Sequence, residues 1–302
     1  MRKIKIGTRA SRLALWQAEF VAAQLKNFFP NLEIELVKVS TTGDKILDAP
    51  LAKIGGKGLF TKELELQMAA GAIDLAVHSL KDVPTELPTG FKIAAITKRA
   101  QPFDAFVSNK FPTFNSLSTG AIIGTSSLRW AAQILSLRPD LQIKNLRGNV
   151  ETRLKKLDAG EFDAIILAAA GLERLGYSSR IRKLLTEIIP AAGQGALAIE
   201  IRADDDEIFS CVQKLHDSET FAAVKVEREF LTEVGGSCQI PVGVFAQIVD
   251  DKINVRALIA SLDGQEIVRD SEVATLEQID GLGKKIAARL LKNGGKNILN
   301  SL

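Results

Sequence analysis

Arginines and lysines stand beside small residues at several points of this sequence. Ile6-Gly7-Thr8-Arg9 runs into Ser11, and Ile123-Gly124-Thr125-Ser126-Ser127 runs into Arg129. Lys53 and Lys57 flank Gly55-Gly56, Lys81 precedes Asp82, and Arg147 precedes Gly148-Asn149. These cations fall at strand ends or in glycine-rich loops, whereas Lys155 and Lys156 decorate a helix face as solvated cations usually do. A guanidinium donates two parallel hydrogen bonds to a carboxylate or phosphate, so a convergent set implies a ligand with several such groups. Helix N-termini add unpaired N–H groups and partial positive charge, which makes the two Gly-Thr strings candidate anion sockets. A Gly-Thr turn and a serine cap with nothing bound accounts for either string equally well. Gly55-Gly56-Lys57-Gly58 lacks the spacing of a P-loop, which weakens a nucleotide reading.

Three other residues could do chemistry. Cys238 lies in Gly235-Gly236-Ser237-Cys238-Gln239-Ile240-Pro241, outside any helical stripe. Its thiol is nucleophilic if nearby cations lower its pKa, and inert if it is a buried loop cysteine; the local sequence allows both. Asp82 follows an apolar strand in His78-Ser79-Leu80-Lys81-Asp82-Val83-Pro84, where a carboxylate could steer protons or stabilise a cation. Capping the turn before Pro84 is the simpler role for it. His78 alternates with apolar neighbours and reads as a hydrogen-bonded core residue, and Cys211 sits in a helical stripe with Ile208, Val212 and Leu215 as a small buried hydrophobe.

The elements that must position these groups follow an α/β pattern. From Met1 to about Thr97, short apolar runs alternate with amphipathic stretches, as βαβ units with a mainly parallel sheet require. Ser11 can cap a first helix whose stripe is Leu13, Trp16, Phe20, Val21, Leu25 and Phe28. Strands are expected near residues 33–39 and 73–77, with a helix carrying Phe60, Leu64 and Met68 between them. A second unit from Pro102 to Pro190 has strand-like runs at 121–123, 141–143 and 164–167, and helices with Arg129 and Arg153 near their starts. Residues 195–201 read as a strand returning to the first unit, which predicts two lobes with a cleft. After Asp217 come a helix to Val234, three strand-like runs with hairpin signals at Asp250-Asp251 and Asp263-Gly264, and a final helix. The expected domains are 1–97 with 193–215, then 102–190, then 216–302.

Composition narrows the functional classes. With 302 residues, 46% of them hydrophobic and 25% charged, the chain has the balance of a globular protein of two or three domains. Its net charge of +3, from 39 basic and 36 acidic residues, and its 6% aromatic content argue against nucleic-acid binding. No stretch approaches the roughly 20 apolar residues of a membrane span, and strand pattern begins too early for a signal peptide, so a cytoplasmic location is expected. Two cysteines and two histidines match neither a disulfide framework nor a zinc site, and no metal is expected.

In order along nearly the whole chain, GTRASRLALWQ, PLAKIGGKGLF, AVHSLKDVP, DAFVSN, GTSSLRW, LRGNVETRL, DAIILAAAGLERLG, AAGQGA and GGSCQIPVG resemble the porphobilinogen deaminase (hydroxymethylbilane synthase) family. The resemblance implies two lobes built like periplasmic binding proteins, with mainly parallel sheets, and a C-terminal α+β domain carrying the Cys238 loop. It implies a monomeric cytoplasmic transferase of tetrapyrrole and haem biosynthesis, with no nucleic-acid or membrane partner. Four porphobilinogen molecules are joined head to tail, losing ammonia, on a dipyrromethane held by a thioether to Cys238; water then releases hydroxymethylbilane. Loss of ammonia leaves an electron-poor azafulvene cation, which a fixed carboxylate would stabilise; Asp82 matches the family residue with that role. By the same matching, Ser79, Lys81, Asp82, Thr125, Ser127, Arg129, Arg147 and Gly148 hold the cofactor with Cys238. Arg9, Ser11, Gln17, Arg147, Arg153, Arg174 and Gln194 bind substrate, and Lys53, Lys57 and Phe60 belong to a loop over the active site. The family usually has two arginines in GTSSLRR, where this chain has Arg129-Trp130. Trp130 could stack on a pyrrole, neighbours could restore the charge, or cofactor assembly could be weakened. A two-lobed anion-binding protein without catalysis is the rival reading; Cys238, Asp82 and the lack of an export signal favour the enzyme.

Overall fold

In the computed structural model, which describes residues 3–45, 58–236 and 240–302, the alternation of Ile4 and Ile6 with Lys3 and Lys5 becomes β1 (Ile4–Arg9). Ser11 accepts a hydrogen bond from the Ala14 N–H and starts α1 (Arg12–Phe28), as a serine cap should. Next come β2 (Ile34–Val39), the short α2 (Thr42–Lys45), α3 (Lys62–Ala69), β3 (Leu75–Ser79) and β4 (Phe91–Ile96). A second sheet is built from β5 (Asp104–Val107), β6 (Ile122–Gly124), β7 (Gln142–Lys144), β8 (Ala164–Ala168) and β9 (Lys183–Leu185). Between its strands lie α4 (Leu128–Leu137), α5 (Val150–Asp158) and α6 (Ala169–Arg174). The chain then forms β10 (Leu197–Arg202), α7 (Asp206–Val212) and α8 (Ser218–Glu233). Last are β11 (Val242–Val249), β12 (Lys252–Ala260), β13 (Ile267–Thr275), α9 (Leu282–Leu290) and α10 (Lys296–Asn300).

Contacts group the described residues into two compact units, one holding 3–45, 58–100 and 195–221, the other 101–194, 222–236 and 240–302. The first contains a sheet of order β2-β1-β3-β10-β4, and the second a sheet of order β7-β6-β8-β5-β9. The two have the same plan. Three strands run parallel, and the fourth, β10 or β5, is antiparallel to both of its neighbours. Four strands of each sheet therefore point one way, and the sheets are mainly parallel as expected. The reversed strand in each is the one made just after the chain changes unit, so β10 is the return strand read from residues 195–201.

α1 packs against the first sheet in a core of Ile4, Ile6, Ala18, Val21, Leu25, Leu75, Val77 and Ile199, while Leu64, Met68, Ile73 and Ala76 fill the other face. The expected helical stripe is partly wrong. Ala14, Gln17, Ala18, Val21 and Leu25 are buried, Phe28 is 52% exposed, and Trp16 stacks on Phe20 at the flank. Small residues let a helix approach a sheet closely, so the bulky ones move to the sides. Cys211 is buried in the same core, and burial pushes its thiol pKa up, which suits the inert role expected of it.

β11-β12-β13 form an antiparallel meander with its own core, where Val226 and Phe230 of α8 and Ile286 and Leu290 of α9 meet Val244, Ile253 and Val255. Asp250 and Asp251, both at positive φ, make the two-residue hairpin between Val249 and Lys252. Buried Glu227 of α8 accepts hydrogen bonds from the Ala246 and Gly193 N–H groups, at 2.8 and 2.6 Å. Among the described residues no helix is long and apolar enough to cross a membrane, and no cluster of His, Cys, Asp or Glu could hold a metal ion.

Candidate active site

In each unit the C-terminal ends of three parallel strands share one edge of the sheet, the place where open α/β sheets bind ligands. On the first sheet this edge collects the residues that follow β1 and β3. The Thr8 hydroxyl donates to the Ala14 carbonyl at 2.9 Å and closes the turn between β1 and α1. Arg9 leaves that turn with its guanidinium 4.2 Å from the centre of the Phe60 ring, a cation–π contact. From α1, buried Gln17 donates through Nε2 to the Ser79 hydroxyl at 2.8 Å, so two residues 62 positions apart in sequence are joined. Past Ser79 a single 3-10 turn, Leu80–Asp82, is anchored by buried Leu80, whose N–H donates to the Ala196 carbonyl at 3.0 Å. Lys81 is half-buried on this turn, and Asp82 is exposed.

On the second sheet the matching edge repeats the design. β6 occupies the position of β1, and Thr125 and Ser127 just past it correspond to Thr8, next to last in β1, and Ser11 beyond it. Thr125 Oγ1 accepts from the Ser127 N–H at 3.0 Å, and Ser127 caps α4. The short Ile-Gly-Thr repeat has a packing cause as well. A Cβ on Gly7 would lie 2.3 Å from Ile73 Cδ1, and one on Gly124 would lie 2.7 Å from Phe162 Cδ1; each of these residues stands two positions before the adjacent strand, β3 or β8.

After β7 the chain turns at Gly148, whose φ of +115° suits only glycine, into the Asn149 cap of α5. Arg153 Nε donates to the Gly148 carbonyl at 2.8 Å. Arg147 Nη1 is buried and has no hydrogen-bond partner among the described residues. Arg174 ends α6, which follows β8; burial pushes its pKa down to about 10, against the opposing pull of Glu173. The buried Arg147 Nη1 on this edge thus lacks the partner a cationic donor needs, and an anionic ligand oxygen would supply it.

Arg129, on the first turn of α4, is only 6% exposed. Its Nη1 donates to Asp104 Oδ2 at 2.9 Å and to the Ile189 carbonyl at 2.7 Å. Gln194 is buried too, and its Nε2 donates to Asp104 Oδ1 and the Pro102 carbonyl, both at 2.7 Å. Asp104, which reading the sequence missed as a site residue, is therefore shared by two expected ones. An acid opening an apolar run such as Asp104–Val107 is a readable signal, because a buried carboxylate must be paired. Trp130 does not face a ligand. Its ring is 5% exposed in the core with Phe106, Phe114, Ile123, Ile134 and Leu141, because position 130 shares the inner face of α4 with Ile134. Stacking of this indole on a pyrrole is thereby excluded. Cys238, Lys53 and Lys57 lie outside the described residues.

A family model described as "Porphobilinogen deaminase, dipyromethane cofactor binding domain" matches residues 4–210, and "Porphobilinogen deaminase, C-terminal domain" matches residues 221–292. The chain belongs to the porphobilinogen deaminase family. Two curated members, from Methylobacillus flagellatus and Chromobacterium violaceum, are 48% and 50% identical to it, over 100% and 99% of this chain and 98% and 97% of theirs. Among solved structures, the methionine binding protein MetQ is similar with a TM-score of 0.46 at 14% identity, over 72% of this chain and 92% of that one. The activity is that of the family: a transferase reaction that polymerises porphobilinogen in tetrapyrrole synthesis, with dipyrromethane as cofactor.

Proposed function

We propose that the cofactor is bound covalently through Cys238 and that its acetate and propionate groups are held by the cationic edge of the second sheet. The observation that carries this reading is the buried, unpartnered Nη1 of Arg147, beside Gly148 and on the same edge as the desolvated Arg174. A buried charged donor without a partner costs about 1–3 kcal/mol or more, and a carboxylate removes that cost. The donor set fits a dipyrromethane, whose rings each carry two carboxylates. Arg129, Arg147, Thr125, Ser127 and Gly148 would hold it, and the family resemblance adds Ser79, Lys81 and Asp82. When bound, the group supplies the primer to which pyrrole units are joined. Arg9, Ser11, Gln17, Arg153 and Arg174 bind the carboxylates of the incoming substrate, and Gln194 acts beside them through Asp104. Lys53, Lys57 and Phe60 form the covering loop.

Asp82 is the acid–base group. Its exposed carboxylate, held on the anchored turn after β3, accepts hydrogen bonds and protons from pyrrole N–H groups and balances the cation that forms when ammonia leaves. The separate cores of the two mixed sheets and of the C-terminal meander support three domains, 1–97 with 193–215, 102–190 and 216–302. The enzyme works as a cytoplasmic monomer without a nucleic-acid or membrane partner. Intact mass of the purified chain tests the central point. We expect an adduct of two pyrrole units that vanishes in Cys238→Ser; an unmodified wild-type chain that still turns over porphobilinogen would refute it.

A further inference from the structure

We infer that Asp104 is a positioning residue for the reaction, acting through Arg129 by fixing which edge of its guanidinium meets a carboxylate. This inference rests on the reading of Arg129 as a cofactor-carboxylate ligand. The Arg129 guanidinium has five N–H donors. Both hydrogens on Nη1 are used, one by Asp104 Oδ2 and one by the Ile189 carbonyl. The acceptors are themselves fixed. Asp104 is fully buried, and its other oxygen takes Gln194 Nε2 at 2.7 Å. The Ile189 peptide is clamped on both sides by the Gln133 amide, which accepts from its N–H at 2.8 Å and donates to its carbonyl at 3.1 Å. Gln133 Nε2 also reaches the Arg129 carbonyl at 3.3 Å, which closes the network on the helix that carries Arg129.

What remains of the guanidinium is Nε and Nη2. Neither makes a hydrogen bond to a described residue, and neither is among the fully buried unpaired atoms, so the 6% of Arg129 that solvent reaches includes this edge. The Nε–Nη2 edge is one of the two that can present parallel N–H groups to one carboxylate. Asp104 therefore does more than neutralise a buried charge. By holding Nη1 it selects the bidentate edge and removes the rotational freedom of a long side chain, so a ligand carboxylate meets a group already oriented. The Trp130 ring, with its centre 5.2 Å from Arg129 Cζ, walls one side of the guanidinium.

Intact mass and steady-state kinetics of full-length Asp104→Asn, Arg129→Met and the double variant test this. Asparagine keeps the shape of the aspartate and one acceptor but loses the charge. We expect Asp104→Asn to keep its fold by circular dichroism while the fraction of chain carrying the two-pyrrole adduct falls, or KM for porphobilinogen rises, by about tenfold or more, the size of one charged hydrogen bond. Because Asp104 acts through Arg129, the double variant should be no worse than Arg129→Met alone. Full adduct and normal KM in Asp104→Asn, with Arg129→Met defective, would overturn the role of Asp104 alone, as would defects that add in full. A normal Arg129→Met would remove the underlying reading as well. If Asp104→Asn does not fold, Gln133→Met, which loosens the Ile189 clamp, should show a smaller defect of the same kind; its behaving as wild type would count against the network.

Discussion

Asp82 and Glu65 are both acids of the first unit, and their surroundings give them opposite tasks. Asp82 is exposed, so removing it exposes no cavity and leaves no buried partner. Asp82→Ala should melt with the wild type and lose turnover by about 100- to 10,000-fold, the range for a positioned acid–base group. Near-normal product formation would refute its role. Glu65 of α3 is buried close to Glu200 and His78, which pair at 2.8 Å. Burial is the main cause that lifts its carboxyl above the ordinary value of 4.5, with Glu200 adding to it and Thr61 and His78 opposing. A raised acid favours the folded state fully below its unfolded pKa and loses that contribution as pH rises through the folded one. Glu65→Gln cannot ionise, so its melting temperature relative to wild type should climb as pH rises above the ordinary carboxyl value of 4.5. A constant difference over that rise would mean that Glu65 is not held protonated in the fold.

At the scale of elements, close approach decides more than hydrophobic patterning does. Gly283 on α9 faces α8 so tightly that an added Cβ would sit 2.1 Å from the Val226 carbonyl oxygen and 2.7 Å from the Phe230 nitrogen. Backbone atoms of a helix cannot yield as a flexible side chain can. Gly283→Ala should therefore destabilise by about 1–3 kcal/mol despite the better helix propensity of alanine, and a chemical denaturation curve at or above the wild-type midpoint would contradict that packing. The same kind of contact limits what a sequence alone discloses. The serine caps at Ser11 and Ser127, the Asp250-Asp251 hairpin and the return strand β10 were legible because each depends on local chemistry or a continuous apolar run. The face of α1 was not, since alanines at 14 and 18 mark the contact side more faintly than Trp16 and Phe20 mark the flank. β5 and β9 were missed for a related reason: four and three residues long, one opening on Asp104 and the other on Lys183, they take strand form from the neighbours they pair with, β5 between β8 and β9, and β9 at the edge against β5. Trp130 was read as a ring that could stack on a pyrrole because it stands next to Arg129, yet on a helix adjacent residues face about 100° apart, and the indole is turned into the core.

The whole molecule repeats one plan twice, and the repetition bears on stability. Both mixed sheets gather small hydroxyl residues and cations at strand C-termini, but the second carries an unmet electrostatic demand among the described residues, the buried Nη1 of Arg147, beside a desolvated Arg174. A fold that buries cations without adequate partners is less stable than it would be with the anions present, and ligand binding returns that difference to the folded state. If the cofactor's carboxylates fill the place of those partners, each charged hydrogen bond contributes about 1.5–3 kcal/mol. One kcal/mol corresponds to about 2–4 °C for a unit of this size. The adduct-bearing protein should thus melt about 5 °C or more above Cys238→Ser, whose sulfur-to-oxygen change is itself nearly isosteric. Hydrogen exchange locates the effect: protection should rise around residues 125–129 and 147–148 of the second unit and change little in the C-terminal meander. Equal melting temperatures, or protection confined to the meander, would mean that the cationic edge is satisfied in some other way and that the cofactor's acids do not lie on it.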